Sequence, residues 1–348
     1  MSPRLRKILL WVLFPVFYLV SFVFFAYLTF PFDSLRDRIV VAFAEDQRKT
    51  GGNTRLEIDG ISSYWFSGVE ARGVRMISAP AVKEDGSKAA PSQFEIDRAT
   101  GRVALLPLLI GRVRINFSAD LLGGTLRGST RKSGEDRTLE LELEDLAVGE
   151  IGPLAEMIGL PLTGRLGGTV DLTLPEGKLS KATGSIELLL QDLSVGDGKT
   201  KIKDTIALPR MVVGDLELAC DIAEGRVTIT KLSAGGSDLD FSADGKLTLR
   251  DKFAESQADL YLKFKFSDKY KAKDEKTKAL FGAPGSNAPA LFEIADPRIR
   301  QSKRPDGFYS WRAWGLLRTL RFDPAPAGGA APSRGQPGGP GGVRGFTR

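Results

Sequence analysis

The sequence predicts a mainly β protein: a single N-terminal transmembrane helix followed by an elongated, curved antiparallel sheet with a few short helices. Three observations carry this reading. Apolar and polar residues alternate with period two in run after run, the mark of a strand with one buried face. Short glycine-bearing turn signals such as Glu224-Gly225, Gly235-Gly236 and Asp244-Gly245 separate the runs, and connections this short join antiparallel neighbours rather than βαβ units. The chain also opens on an uncharged apolar run, Ile8–Leu28.

As a helix that run would span about 30 Å, the thickness of a bilayer's hydrocarbon core. Arg4, Arg6 and Lys7 precede it, so residues 1–7 form a basic segment that the positive-inside rule leaves in the cytoplasm. The chain beyond Pro31 is then extracytoplasmic. A cleavable signal peptide is the competing reading, but it calls for a shorter apolar core and a small-x-small cleavage site. The best candidate here, Ala26, has the bulky Phe24 two positions before it. Residues 29–50 read as a juxtamembrane amphipathic helix: Asp33 can cap a helix over Ser34–Lys49 with Ile39, Val40 and Phe43 on one face.

Residues 51–322 form the predicted β-domain. Val113, Ile115 and Phe117 alternate in one run, and Val170, Leu172 and Leu174 in another. Leu216 and Leu218, Val227 and Ile229, Leu239 and Phe241, and Leu247 and Leu249 follow. The last clear run is Leu260, Leu262, Phe264 and Phe266, with Lys263 and Lys265 on the other face. Ala104–Ile110 and Gly152–Ile158 are short apolar helical turns that Pro107 and Pro153 keep short. Several runs open on glycine, as at Gly164, Gly184, Gly214, Gly225 and Gly245. The plain reading is ordinary hairpins, and the sharper one a repetitive sheet that grows by adding hairpins. Residues 323–348, rich in proline, glycine and alanine, are expected to be disordered.

The chemical inventory is thin. With 348 residues, 42% hydrophobic and 26% charged, the chain is in the globular range. Histidine is absent, which removes Ser–His–Asp and Cys–His nucleophiles and imidazole-dependent zinc sites. Cys220 is the only cysteine, so no intramolecular disulfide forms, and its place in the Leu216–Leu218 alternation makes it a small core residue. No phosphate loop or dinucleotide fingerprint occurs. Glu140, Glu142 and Glu144 occupy the solvent side of a strand, where a carboxyl gains no reason to hold a proton. These observations point away from an enzyme and leave no catalytic, cofactor-binding or metal site to name. The net charge is +6, with a basic excess over Lys252–Arg321. A solvated face explains that excess most simply; an anionic lipid or acidic partner is the alternative. The interleaved acids and the lack of a motif exclude nucleic acid.

Two groups are candidate contacts for a partner or a lipid. One is the aromatic cluster Tyr64, Trp65 and Phe66; the other is the row Leu260, Leu262, Phe264 and Phe266. A second aromatic cluster, Phe308, Tyr309, Trp311 and Trp314, is of the same kind, and for both clusters capping the end of a sheet core is the commoner role.

Several stretches resemble the type II secretion system protein N family, within the wider AsmA-like group of periplasmic β-proteins. They are Tyr27–Asp33 at the end of the apolar run, the "strand, Gly-Gly, Gly" form of Ile110–Gly128 and its repeat at Leu160–Val170, then Leu208–Leu218, Gly225-Arg-Val, Gly235–Asp240 and Asp306–Tyr309. The likeness covers residues 8–322 and rests on the order of these stretches behind an anchor. It implies a non-catalytic scaffold or docking component held in a Gram-negative inner membrane, with its main domain in the periplasm. Its partners would be other secretion proteins, such as the secretin or the inner-membrane assembly platform. The AsmA-like side of the resemblance implies an alternative: a lipid-binding or lipid-transfer protein whose apolar sheet face forms a groove for phospholipid.

Overall fold

The computed structural model describes residues 11, 13–18, 21–22, 24–25, 29, 31–65, 67–78, 93–108, 111–151, 160–202, 206–207, 209–285 and 290–325, without residues 51–52. Among these, Trp11, 13–18, 21–22 and 24–25 are helical. No helix of the described residues is long and apolar enough to cross a membrane. The expected span over 8–28 is described only in those pieces, and the expected turn at Gly152–Ile158 lies outside the described residues. Helix α1 runs Phe32–Thr50, two residues longer at its start than the sequence indicates.

Fourteen strands form one open antiparallel sheet in which nearly every strand pairs with its neighbours in the chain. They are β1 (Thr54–Tyr64), β2 (Gly68–Ser78), β3 (Gln93–Val103), β4 (Val113–Leu121), β5 (Gly124–Ser133), β6 (Asp136–Ala147), β7 (Leu162–Leu174) and β8 (Thr183–Val195), then β11 (Met211–Ala223), β12 (Arg226–Gly235), β13 (Leu239–Thr248), β14 (Gln257–Phe266), β15 (Tyr309–Leu316) and β16 (Arg321–Pro324). Two-residue strands β9 (Lys201–Ile202) and β10 (Ile206–Ala207) make a separate ribbon between β8 and β11. Spaced at about 4.8 Å, the strands give a sheet about 60 Å wide. Strand β16 extends two residues into the segment expected to be disordered.

Alternation makes this sheet two-faced. Leu139, Leu172 and Gly184 lie in register, as do Leu141, Val170, Ile186, Cys220 and Ile229. On the other face Glu142 lies opposite Arg127, Glu140 takes a hydrogen bond from Ser129, and Arg312 forks onto Asp259 at 2.7 and 3.0 Å. Each such pair contributes only a few tenths of a kcal/mol, so register is set mainly by keeping one face apolar.

Keeping it apolar requires bulges. Leu143 and Leu146 pack in one cluster although three positions apart, as do Leu190 with Leu193 and Val213 with Leu216. In each case the register shifts, or the backbone turns through positive φ, between the two: Asp145 at 58°, Asp192 at 51° and Gly214 at 77°. The extra residue resets the pleat and bends the strand. Carboxylates satisfy the amides this frees: Asp215 accepts the Asp192 N–H at 3.0 Å, and Asp238 the Val212 N–H at 2.9 Å.

Glu224-Gly225 forms the expected tight turn, with φ of 49° and 72°. Asp244-Gly245 does not: both residues sit inside β13, so the two runs Leu239–Phe241 and Leu247–Leu249 belong to one strand and its end. Gly245 lies at φ 139°, and a Cβ there would meet the backbone of Asp259 and Leu260. Close approach of backbones, rather than a turn, requires that glycine. Gly164, Gly184 and Gly214 also lie within strands instead of ahead of them.

Turns at Tyr64–Gly68, Ala223–Arg226 and the β3–β4 connection lie at one end of the strands, here the near end. The near-end β3–β4 connection contains the short helix α2 (Leu105–Leu108). At the far end, β14 leads into helices α3 (Asp268–Lys271), α4 (Glu275–Phe281), α5 (Leu291–Ala295) and α6 (Pro297–Ser302). Ser267 caps α3, an Asp274–Thr277 capping box starts α4, and Asp296 followed by Pro297 starts α6. These helices cover the far ends of β7–β15 on the apolar face, joining Tyr270, Leu280, Phe281, Phe292 and Ile299 to Leu193, Val213, Leu239 and Phe266, while the far ends of β3–β6 pack in a separate cluster around Leu121, Leu122 and Leu146.

Gly168, at φ 142°, has no room for a side chain against the Glu187 carbonyl, whereas a Cβ at Gly101 meets nothing within 4 Å. Gly168→Ala is expected to cost about 2 kcal/mol or more, and Gly101→Ala to stay within about 0.5 kcal/mol of the parent chain. Urea denaturation of the two variants side by side checks this; equal midpoints would contradict it.

Candidate functional site

The near half of the apolar face is the candidate site. Cys220, Ile222, Val227, Ala182 and Leu249 form its buried spine, flanked by half-buried Leu172, Ile186, Leu218, Ile229 and Leu247. The cluster draws its members from strands and the turn around Leu179, and no residue of α3–α6 belongs to it. Among the described residues no helix packs on this row, and the Leu179–Ala182 turn closes its edge, Ser180 donating to Asp251 at 2.7 Å. Cys220 lies in the spine as the alternation predicts, and burial pushes its thiol pKa up, the Asp221 charge adding to the effect.

The predicted contact row is divided by the far-end lid. Leu260 lies between Gly245 and Ala313, and Leu262 between Ala243 and Trp311, both half-buried in the sheet. Phe264 stacks on Tyr309 at 5.3 Å between ring centroids. Phe266 is 7% exposed and packs against Phe281 at 4.3 Å and Phe292 at 5.8 Å. Phe264 and Phe266 thus belong to the lid's aromatic core, and contact with a partner at Phe266 would require the lid to lift.

The first aromatic cluster is also divided. Tyr64 closes β1 opposite Gly68 and is half-buried. Trp65, at φ 52°, is 66% exposed at the turn. Phe66 lies outside the described residues. In the second cluster Trp314 lies on the charged face, donating to Asp323 at 2.6 Å with the guanidinium groups of Arg312 and Arg321 over its ring. Glu140, Glu142 and Glu144 are exposed on that same face. Among the described residues no group of three or more His, Cys, Asp or Glu is placed to hold a metal ion.

One buried charge fastens the lid. Glu293 of α5, 5% exposed, accepts hydrogen bonds from Lys303 Nζ and the Tyr309 hydroxyl, both at 2.6 Å. Burial raises its pKa, but the two hydrogen bonds and the Lys303 charge outweigh burial and hold it below the usual carboxylate range. Tyr309 is pushed up, by burial first and then by Glu293. Tyr270, fully buried, ties α3 to the Pro209 carbonyl at 2.7 Å.

Sequence reasoning did not find the lid, although Ser267, Asp274–Thr277 and Asp296-Pro297 are cap signals. No protein-family model, no curated protein and no solved structure matches this chain.

A folded pKa held below the unfolded one adds stability above the unfolded value and loses it as pH falls through the folded value. Glu293→Gln is therefore expected to destabilise by about 1–2 kcal/mol at neutral pH, with the gap to the parent chain narrowing in acid. Thermal unfolding at neutral and acid pH measures it; a gap unchanged by pH would contradict the assignment.

Proposed function

We propose that this chain is a non-catalytic, membrane-anchored envelope protein that holds extended acyl chains on the open near half of its sheet. The row Val170–Ile186–Cys220–Ile229 supports this: it is contiguous and apolar, and among the described residues no helix packs on it. Cys220 is buried and Val170, Ile186 and Ile229 half-buried, and covering the apolar area they still present yields about 25 cal/mol per Å². From β7 to β15 the face crosses six strand spacings, about 29 Å. One leaflet's acyl chains are about 15 Å long, so a chain lying across the strands fits within the row.

Anchorage is read from the uncharged run behind Arg4, Arg6 and Lys7 and from the helical, outward-facing Trp11, Phe14, Phe17 and Phe22. Periplasmic location follows from the same charge asymmetry. An elongated, curved AsmA-like architecture is part of this proposal: a wide meander bent by aligned bulges would form a trough. A second reading, a docking component of the type II secretion apparatus that contacts the secretin or the assembly platform, rests on the family resemblance.

Photo-crosslinking from Ile186 and Ile229 in native membranes, with adducts identified by mass spectrometry, separates the readings. Phospholipid adducts are expected. Adducts to secretion-system proteins would replace the lipid reading with the docking one, and internal crosslinks alone would overturn both.

A further inference from the structure

Strand β1 runs back alongside α1: only residues 51–53 separate them, and Thr54 N–H donates to Gln47 Oε1 at 3.3 Å. The 19 residues of α1 rise about 28 Å, and the 11 of β1 extend about 36 Å. The tip of the β1–β2 hairpin therefore returns at least to the level where the N-terminal apolar run enters α1. At that tip Trp65 is 66% exposed and held at φ 52°, a costly conformation for a bulky residue.

A second apolar loop sits beside it. Val103 N–H donates to the Ser67 carbonyl at 3.1 Å, and Ser67 Oγ to the Val103 carbonyl at 2.8 Å. This fixes the β3–β4 connection against the hairpin tip. The connection reads Ala104-Leu-Leu-Pro-Leu-Leu-Ile-Gly111 without a charge, and Leu108 in α2 is 48% exposed. Arg102 and Arg112 border it, both exposed, and no acid occurs from Val103 to Arg114.

We propose that this pair of loops dips into the surface of the bilayer that carries the anchor, with Trp65 and Leu108 in the interfacial layer and Arg102 and Arg112 on lipid phosphates. Tryptophan and leucine with a basic border suit that boundary. The inference rests on the membrane-anchored reading, and it deepens the lipid reading: the open half of the apolar face is the half nearest this end of the strands. Two points of attachment fix the sheet's tilt, where an anchor alone leaves it free.

The test uses the full chain in phosphatidylethanolamine–phosphatidylglycerol vesicles with Cys220→Ala and one new cysteine, Trp65→Cys, Leu108→Cys or the far-end control Lys199→Cys. Each carries a polarity-sensitive fluorophore. If Cys220→Ala impairs folding, a genetically encoded fluorescent amino acid at the same positions replaces the label. At 65 and 108 emission is expected to shift to the blue and to be lost to nitroxide-bearing lipid, and at 199 to stay aqueous. Vesicle flotation reads the anchor separately. A chain that floats while either 65 or 108 matches the control overturns this proposal alone; a chain that does not float overturns the anchored reading as well.

Discussion

The backbone ladder that runs unbroken from β1 to β16 constrains everything else in this molecule. Nearly every strand pairs with the strands made just before and after it, β8 reaching past the β9–β10 ribbon to β11. The sheet grows strand by strand in one continuous layer. Because side chains alternate, such a sheet must have two faces, and only the charged one is at ease in water. The apolar face needs a second layer, and this chain supplies one for half of it.

That half is the far end, where α3–α6 bring Tyr270, Phe281 and Phe292 over Phe266. The lid is fastened by polar bonds that leave no freedom of placement: Tyr270 to Pro209, Lys273 to the Arg210 carbonyl at 2.7 Å, and Glu293 to Lys303 and Tyr309. Among the described residues the near half has no helical cover; there the Leu179–Ala182 turn closes the edge of the face, Ser180 donating to Asp251 at 2.7 Å and Gly225 N–H to the Ala182 carbonyl at 2.8 Å. Its spine survives because small residues, Ala182, Cys220 and the strand glycines, let neighbouring rows close over one another. At Gly128 a Cβ would collide with the Phe117 ring and the Leu141 side chain, which meet across that position.

Strands were legible in the sequence because period-two alternation survives in one dimension: Leu139–Leu143, Leu216–Leu218 and Leu260–Phe266 all lie in strands. The bulges were not, since they appear as failures of alternation. Yet they leave a trace, an apolar residue and a leucine three apart with aspartate before the leucine: Leu143-Glu-Asp-Leu146, Leu190-Gln-Asp-Leu193, Val213-Gly-Asp-Leu216. Aspartate tolerates positive φ and its carboxylate can take a stray amide from the next strand. Asp244-Gly245 misled for the opposite reason, because a turn dipeptide and a close backbone approach ask for the same glycine. Of the candidate site, the apolar row could be read, but which half stays open depends on a lid whose helices are too short for a periodic signal.

The central claim is that the near half of the apolar face is covered by lipid rather than by the chain itself. Nitroxide labels at Val170 and Ile229, and at Phe266 beneath the lid, test it in the full chain held in an amphipathic polymer before and after phospholipid is added. A water-soluble relaxing agent should reach Val170 and Ile229 without lipid, lose access when lipid is added, and never reach Phe266. Protection of Val170 and Ile229 from the outset would contradict the account, because the face would already be closed by protein.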